Sequence, residues 1–135
     1  MTRAEAIKVI ATYMGLEGQA SNFTDVSSTH WANKYIGAAA GSGLMNGYSD
    51  GTFRPNDKIS RSELATLITR AFKLTGTGNT SFKDVQRNAW YYDSIDALAS
   101  NKIITGYADS TFKPGQDITR AEFATMVSRL LENLN

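Results

Sequence analysis

Apolar residues return at helical spacing three times along the chain. Ala6, Ile7, Ile10, Ala11 and Met14 make one stripe; Leu64, Leu67, Ile68, Ala71 and Phe72 a second; Phe123, Met126, Val127, Leu130 and Leu131 a third. Each set falls on one face of a 3.6-residue helix. Directly ahead of the stripes stand Thr2-Arg3-Ala4-Glu5, Ser60-Arg61-Ser62-Glu63 and Thr119-Arg120-Ala121-Glu122. A hydroxyl followed three residues later by a carboxylate is a capping box, so helices are predicted to begin just after Thr2, Ser60 and Thr119. The arginines lie 58 and 59 residues apart, a period that marks one supersecondary unit used repeatedly.

The rest of the unit repeats without a gap. Phe23-Thr24-Asp25-Val26 matches Phe82-Lys83-Asp84-Val85, Trp31 matches Trp90, and Ile36 matches Ile95. The segment Gly47-Tyr48-Ser49-Asp50-Gly51-Thr52-Phe53-Arg54-Pro55 matches Gly106-Tyr107-Ala108-Asp109-Ser110-Thr111-Phe112-Lys113-Pro114, and Ile59 matches Ile118. A further helix is predicted over residues 31–42 and 90–101, ended by Gly43 and Gly47 in one copy and by Asn101 and Gly106 in the other. Ser49-Asp50-Gly51 and Ala108-Asp109-Ser110 read as tight turns, and Pro55 and Pro114 keep the loops from running on as helix. Little strand is expected, at most a short pairing near Thr52-Phe53 and Thr111-Phe112. Residues 15–22 and 75–81 are short polar connectors. The chain thus reads as a partial repeat (1–22) and two full repeats (23–81 and 82–135). No helix can bury its stripe alone. The predicted fold is all-α, with helix–loop–helix repeats packed as a pseudo-threefold bundle around the three capped helices.

Composition narrows the function classes. Fourteen basic residues against thirteen acidic ones leave a net charge of +1 over 135 residues, without the basic excess of a nucleic-acid binder. Cysteine is absent, which removes disulfides and thiolate metal sites. No stretch has the length of a membrane span, and the start carries no signal pattern. His30 is the only histidine, and its repeat counterpart is Ala89, so nucleophile–base pairs and zinc sites lack parts. Setting Gly51 at the glycine position of a calcium loop puts Asn46, Tyr48, Asp50 and Asp57 at ligand positions. Tyr48 breaks that pattern, and the other copy has Ser110 and Gln116. The sequence implies no cofactor, no metal and no catalysis.

One repeated residue is not asked for by local physics. Once the capping box explains the glutamates, Arg3, Arg61 and Arg120 remain at the first helical position, where the helix dipole disfavours a cation by about 0.3–1 kcal/mol. Two readings account for them. Asp25 or Asp84 could neutralise an arginine and clamp one repeat to the next. Alternatively the guanidinium and the free amides of the helix start could receive an external anion, a planar carboxylate suiting the guanidinium best. Both can hold together. Trp31 and Trp90 divide similarly between buried core, where each indole N–H needs a partner, and a partly exposed ring for a sugar face. Tyr48 and Tyr107 read as loop anchors, and Phe53 and Phe112 as core pegs.

The order Phe-x-Asp-Val, Trp, Gly-Tyr-x-Asp-Gly-Thr-Phe-Arg-Pro, then Ser/Thr-Arg-x-Glu resembles the S-layer homology family over nearly the whole chain. Arg3, Arg61 and Arg120 fall on that family's Thr-Arg-Ala-Glu motif, the second copy reading Ser-Arg-Ser-Glu. The resemblance implies an all-helical pseudo-trimer that anchors proteins non-covalently to the cell wall of mainly Gram-positive bacteria, outside the cell. It implies as partner a secondary cell-wall polysaccharide, an acidic glycan carrying ketal-linked pyruvate, bound in grooves between repeats. By motif position Arg61 and Arg120 would meet the acid, with Arg3 at a groove short of its opening half. Asp25, Asp84, Trp31 and Trp90 would shape the groove or face the sugar. The alternative is a structural or oligomerisation module whose Arg–Asp pairs are internal clamps. The missing half-repeat leaves room for a homo-oligomer that supplies it.

Overall fold

Three helices begin on the residue that the capping boxes predict. The computed structural model describes residues 1–134. Among them it holds α1 (Arg3–Tyr13), α2 (Asn33–Gly41), α3 (Arg61–Phe72), α4 (Tyr92–Ser100) and α5 (Arg120–Leu134). The Thr2 hydroxyl accepts the Glu5 N–H at 3.1 Å while the Glu5 carboxylate accepts the Thr2 N–H at 2.9 Å. Ser60 with Glu63, and Thr119 with Glu122, repeat the exchange. The protein is all-α, as its periodicity predicts.

The shorter helices α2 and α4 start two residues later than expected, because Ala32 and Tyr91, not the tryptophans, occupy the N-cap positions. At the start of α2 the His30 ring Nδ1 accepts the Ala32 N–H at 3.0 Å. Gly43 stops α2 with a φ of +73°, and Lys102 takes the same left-handed turn after α4 with a φ of +60°. Lys102 does so against the side-chain penalty that makes glycine usual there.

The chain divides into two compact units, Met1–Ile59 and the residues from Ser60 onward. In the first, α1 packs on α2; in the second, α3 packs on α4. Each unit therefore joins a capped helix to the shorter helix that follows it in sequence. The loop after the shorter helix then returns to the start of the capped one. In the first unit Arg3 N–H donates to the Asp57 carbonyl at 2.9 Å and Ala4 N–H to the Pro55 carbonyl at 3.0 Å. In the second, Arg61 N–H donates to Gln116 at 2.8 Å and Ser62 N–H to Pro114 at 3.0 Å.

Equivalent residues form the two cores. Ile36, Phe53 and Ile59 are fully buried in one, and Ile95, Phe112 and Ile118 in the other. Each large side chain so buried contributes about 1.5–3 kcal/mol. Phe53 and Phe112 are the loop pegs that the sequence predicts. Met14 departs from its predicted stripe: it caps the end of α1 and is exposed.

The expected strand pairing at Thr52-Phe53 and Thr111-Phe112 does not form. The Phe53 and Phe112 amides go instead to the carboxylates of Asp25 and Asp84, and the Thr52 and Thr111 amides to Asp50 and Asp109. Isolated antiparallel bridges appear at Thr2–Lys58 and Ser60–Asp117, where each loop meets its helix start.

Candidate functional site

Arg3 and Arg61 are buried, only 3% and 6% exposed. Each is held by the loop that returns to its helix. Arg61 donates from Nε to the Phe112 carbonyl at 2.8 Å, and its guanidinium carbon lies 4.7 Å from the Phe112 ring centre and 4.8 Å from that of Tyr107. Arg3 repeats this with Phe53 (Nε to carbonyl 3.0 Å, ring 4.8 Å) and Tyr48 (ring 4.9 Å), and its guanidinium also donates to the Asn46 carbonyl at 3.4 Å. Ring faces and carbonyls favour a cation, so they offset its placement at the dipole's positive end. A second cation packs on each tyrosine: Arg54 at 3.9 Å from Tyr48 and Lys113 at 4.4 Å from Tyr107.

Arg61 also forms an ion pair with Glu122. The same carboxylate oxygen accepts the Tyr107 hydroxyl at 3.0 Å, while the other serves the capping box of α5. Burial pushes the Glu122 carboxyl up, but bonds from Thr119 and Tyr107 and the Arg61 charge outweigh it and hold it below its ordinary value. Burial and the bond to Glu122 push the Tyr107 phenol up.

The clamp proposed through Asp25 and Asp84 takes another form. Asp25 accepts the N–H groups of Phe53 and Arg54, both at 2.8 Å. Asp84 accepts those of Phe112 and Lys113 at 2.9 and 2.8 Å. These aspartates act on the arginines through the loop: they fix the phenylalanine whose carbonyl and ring receive the guanidinium. They also hold Arg54 and Lys113, whose φ values of +58° and +61° are costly for residues with a side chain. The amides expected to be free at the starts of α1 and α3 are taken by loop carbonyls.

Arg120 is exposed at the start of α5. Beside the Arg61–Glu122 pair, a cleft of about 260 Å³ opens between α5 and the preceding loop, lined among others by Thr105, Gly106, Tyr107, Thr125 and Arg129. Trp31 and Trp90 are not core. They stand 53% and 67% exposed, Trp31 stacked on His30 at 5.6 Å and Trp90 edge-on to Tyr91 at 5.2 Å. No helix among the described residues is long and apolar enough to cross a membrane.

The S-layer homology domain model matches residues 22–65 and 81–124. The chain belongs to the S-layer homology family. It is 36% identical to Cell surface glycoprotein 1 of Acetivibrio thermocellus, over 98% of this chain and 6% of that protein. It is 33% identical to the cellulosome-anchoring protein of the same organism, over 98% of this chain and 32% of that protein. It is 31% identical to the S-layer protein of Bacillus thuringiensis subsp. finitimus, over 96% of this chain and 16% of that protein. The chain thus spans a third or less of each of these relatives. Family and relatives together place this S-layer homology chain at the bacterial cell surface.

Within this S-layer homology chain, sequence reasoning missed two acidic residues. The capping box accounts for Glu122 in the sequence but uses only one of its two oxygens. Asp96 is buried in α4 and accepts the connector N–H groups of Gly78 at 2.8 Å and Thr80 at 3.2 Å. Burial opposes its charge, yet bonds from Thr80, Gly78 and Ser100 hold its carboxyl below the ordinary value. Its counterpart Gly37 is the available signal, because an Asp replacing Gly within a repeat announces a changed contact.

Proposed function

We propose that this chain is a non-catalytic anchor that holds its parent protein on the cell wall by binding an acidic, pyruvate-bearing wall polysaccharide. The observation that carries the reading is the pair of exposed indoles at matching positions, Trp31 and Trp90. Leaving a tryptophan in water forgoes about 1.5–3 kcal/mol of burial, and its flat apolar face suits the C–H face of a sugar ring. Arg120, exposed at a helix start, supplies a guanidinium of the geometry that a pyruvate carboxylate prefers. Family membership and the cell-surface and anchoring relatives support the same reading.

The second reading, a module whose arginines act only as internal clamps, is favoured for Arg61 by its pairing with Glu122. The two separate by calorimetric titration of purified wall polysaccharide, with and without pyruvate, into the wild-type chain and Arg120→Gln. The anchor reading expects binding that is lost on depyruvylation and weakened in the variant. Equal binding to both polysaccharides, or none with the fold intact, moves the arginines wholly to the structural role.

A further inference from the structure

The two units carry clefts at overlapping positions that differ in charge. In the first unit a cleft of about 410 Å³ lies where the connector passes α2, lined among others by Leu16, Gly18, His30, Trp31, Lys34 and Tyr35. In the second unit a cleft of about 470 Å³ occupies the equivalent place beside α4, lined among others by Leu74, Gly76, Asp93, Ser94 and Asp96. The repeat register pairs Leu16 with Leu74, Gly18 with Gly76, Lys34 with Asp93 and Tyr35 with Ser94. His30 has Ala89 as its counterpart and Asp96 has Gly37, so from the first cleft to the second basic groups are lost and acidic ones gained. Trp31 lines its cleft, whereas Trp90 is not among the residues lining the other.

We infer that the first-unit cleft is a binding site for a negatively charged saccharide, and that its second-unit counterpart does not share this role. The inference rests on the anchor reading and gives that reading's acidic glycan a site in the first unit in addition to the one Arg120 offers. Three features make the first cleft suitable. Trp31 offers an exposed ring stacked on His30, and Lys8 brings its ammonium to 5.8 Å from the ring centre. Lys34 is exposed, has no ion-pair partner among the described residues, and packs its stem against the connector, since a Cβ at Gly18 would sit 3.1 Å from its own. Glu17, which stands between two lining residues, does not itself line the cleft. A ring for stacking beside cations for a carboxylate is the pairing that an acidic sugar needs. In the second cleft Asp93 repels such a ligand, and Asp96 is occupied with holding the connector.

The test uses the pyruvylated wall polysaccharide and exchanges the clefts' charges. His30→Ala with Lys34→Asp puts the second unit's residues at these two positions of the first; Ala89→His with Asp93→Lys does the reverse. The first pair is expected to lose affinity by about tenfold, and the reverse pair to hold or gain it. In the wild-type chain, whose two tryptophans are Trp31 and Trp90, the fluorescence should respond saturably to the polysaccharide. Trp31→Phe should remove most of that response. Melting curves confirm that each variant is folded; Lys34 and Trp31 are exposed, so their replacement spares the core. If wild type binds but the charge exchange changes affinity less than about twofold and Trp31 stays silent, the inference is overturned while the anchor reading stands. If wild type binds neither form of the polysaccharide, the anchor reading falls and takes this inference with it.

Discussion

The carboxylate of Glu122 pairs with the guanidinium of Arg61, 61 residues before it in the sequence. One side chain thereby performs two tasks. Its first oxygen completes the capping box of α5, and its second neutralises a cation buried at the start of α3 and orients the Tyr107 hydroxyl. Ring faces, a backbone carbonyl and a distant glutamate together make an arginine tolerable at a position where the helix dipole opposes it.

Removing that charge should be costly. Glu122→Gln leaves Arg61 buried without its counter-ion, which costs about 3–5 kcal/mol for a fully buried pair. The Glu122 side chain keeps 28% of its exposure, so about 2 kcal/mol is expected here. Urea unfolding measures it; a loss under about 0.5 kcal/mol would show that rings and carbonyls suffice.

The same group sets an acid limb. The folded-state pKa of Glu122 lies below its ordinary 4.5, so its contribution is fully present above that value and is lost as pH falls through the folded pKa. Asp96, also lowered, acts in the same direction. Melting temperature should therefore drop as pH falls below about 4.5, and the drop should be shallower in Glu122→Gln. Parallel curves for the two proteins would remove Glu122 as a source of acid sensitivity.

Asp84 is expected to matter for stability although it is exposed. Asp84→Ala leaves the Phe112 and Lys113 amides without their acceptor and releases the left-handed turn at Lys113. A loss of about 1–2 kcal/mol should follow, and Asp25→Ala should match it in the first unit. The near-ultraviolet signal of the aromatic cluster around Phe112 and Tyr107 should weaken with it.

Two substitutions should stabilise. Ser110 and Lys102 hold φ values of +69° and +60°, where the other copy has Gly51 and Gly43. A side chain in this region costs about 1–2 kcal/mol, part of which glycine returns through its freer unfolded chain. Ser110→Gly and Lys102→Gly should each raise stability by about 0.5–1 kcal/mol. No gain at either site would mean that neighbouring bonds already absorb the strain.

Much of this was legible without coordinates, for a physical reason. A capping box is local: Thr2 with Glu5, and Ser60 with Glu63, lie within one helical turn, so residue types and spacing fix where α1 and α3 begin. Apolar spacing likewise fixed which faces of the helices are buried, and gapless repetition named Phe53 and Phe112 as equivalent core pegs. What the sequence could not determine were meetings between residues far apart in the chain. A carboxylate has two oxygens, and a local pattern accounts for only one, so the Arg61–Glu122 pair waited on the fold. Asp84 has the charge to pair with an arginine, but the loop brings two amides within 3 Å of it. Trp31 and Trp90 carry the same ring whether buried or bare, and only packing decided that they face solvent. Local hydrogen bonds write themselves into spacing; burial and long-range charge pairing depend on which surfaces the tertiary structure brings together.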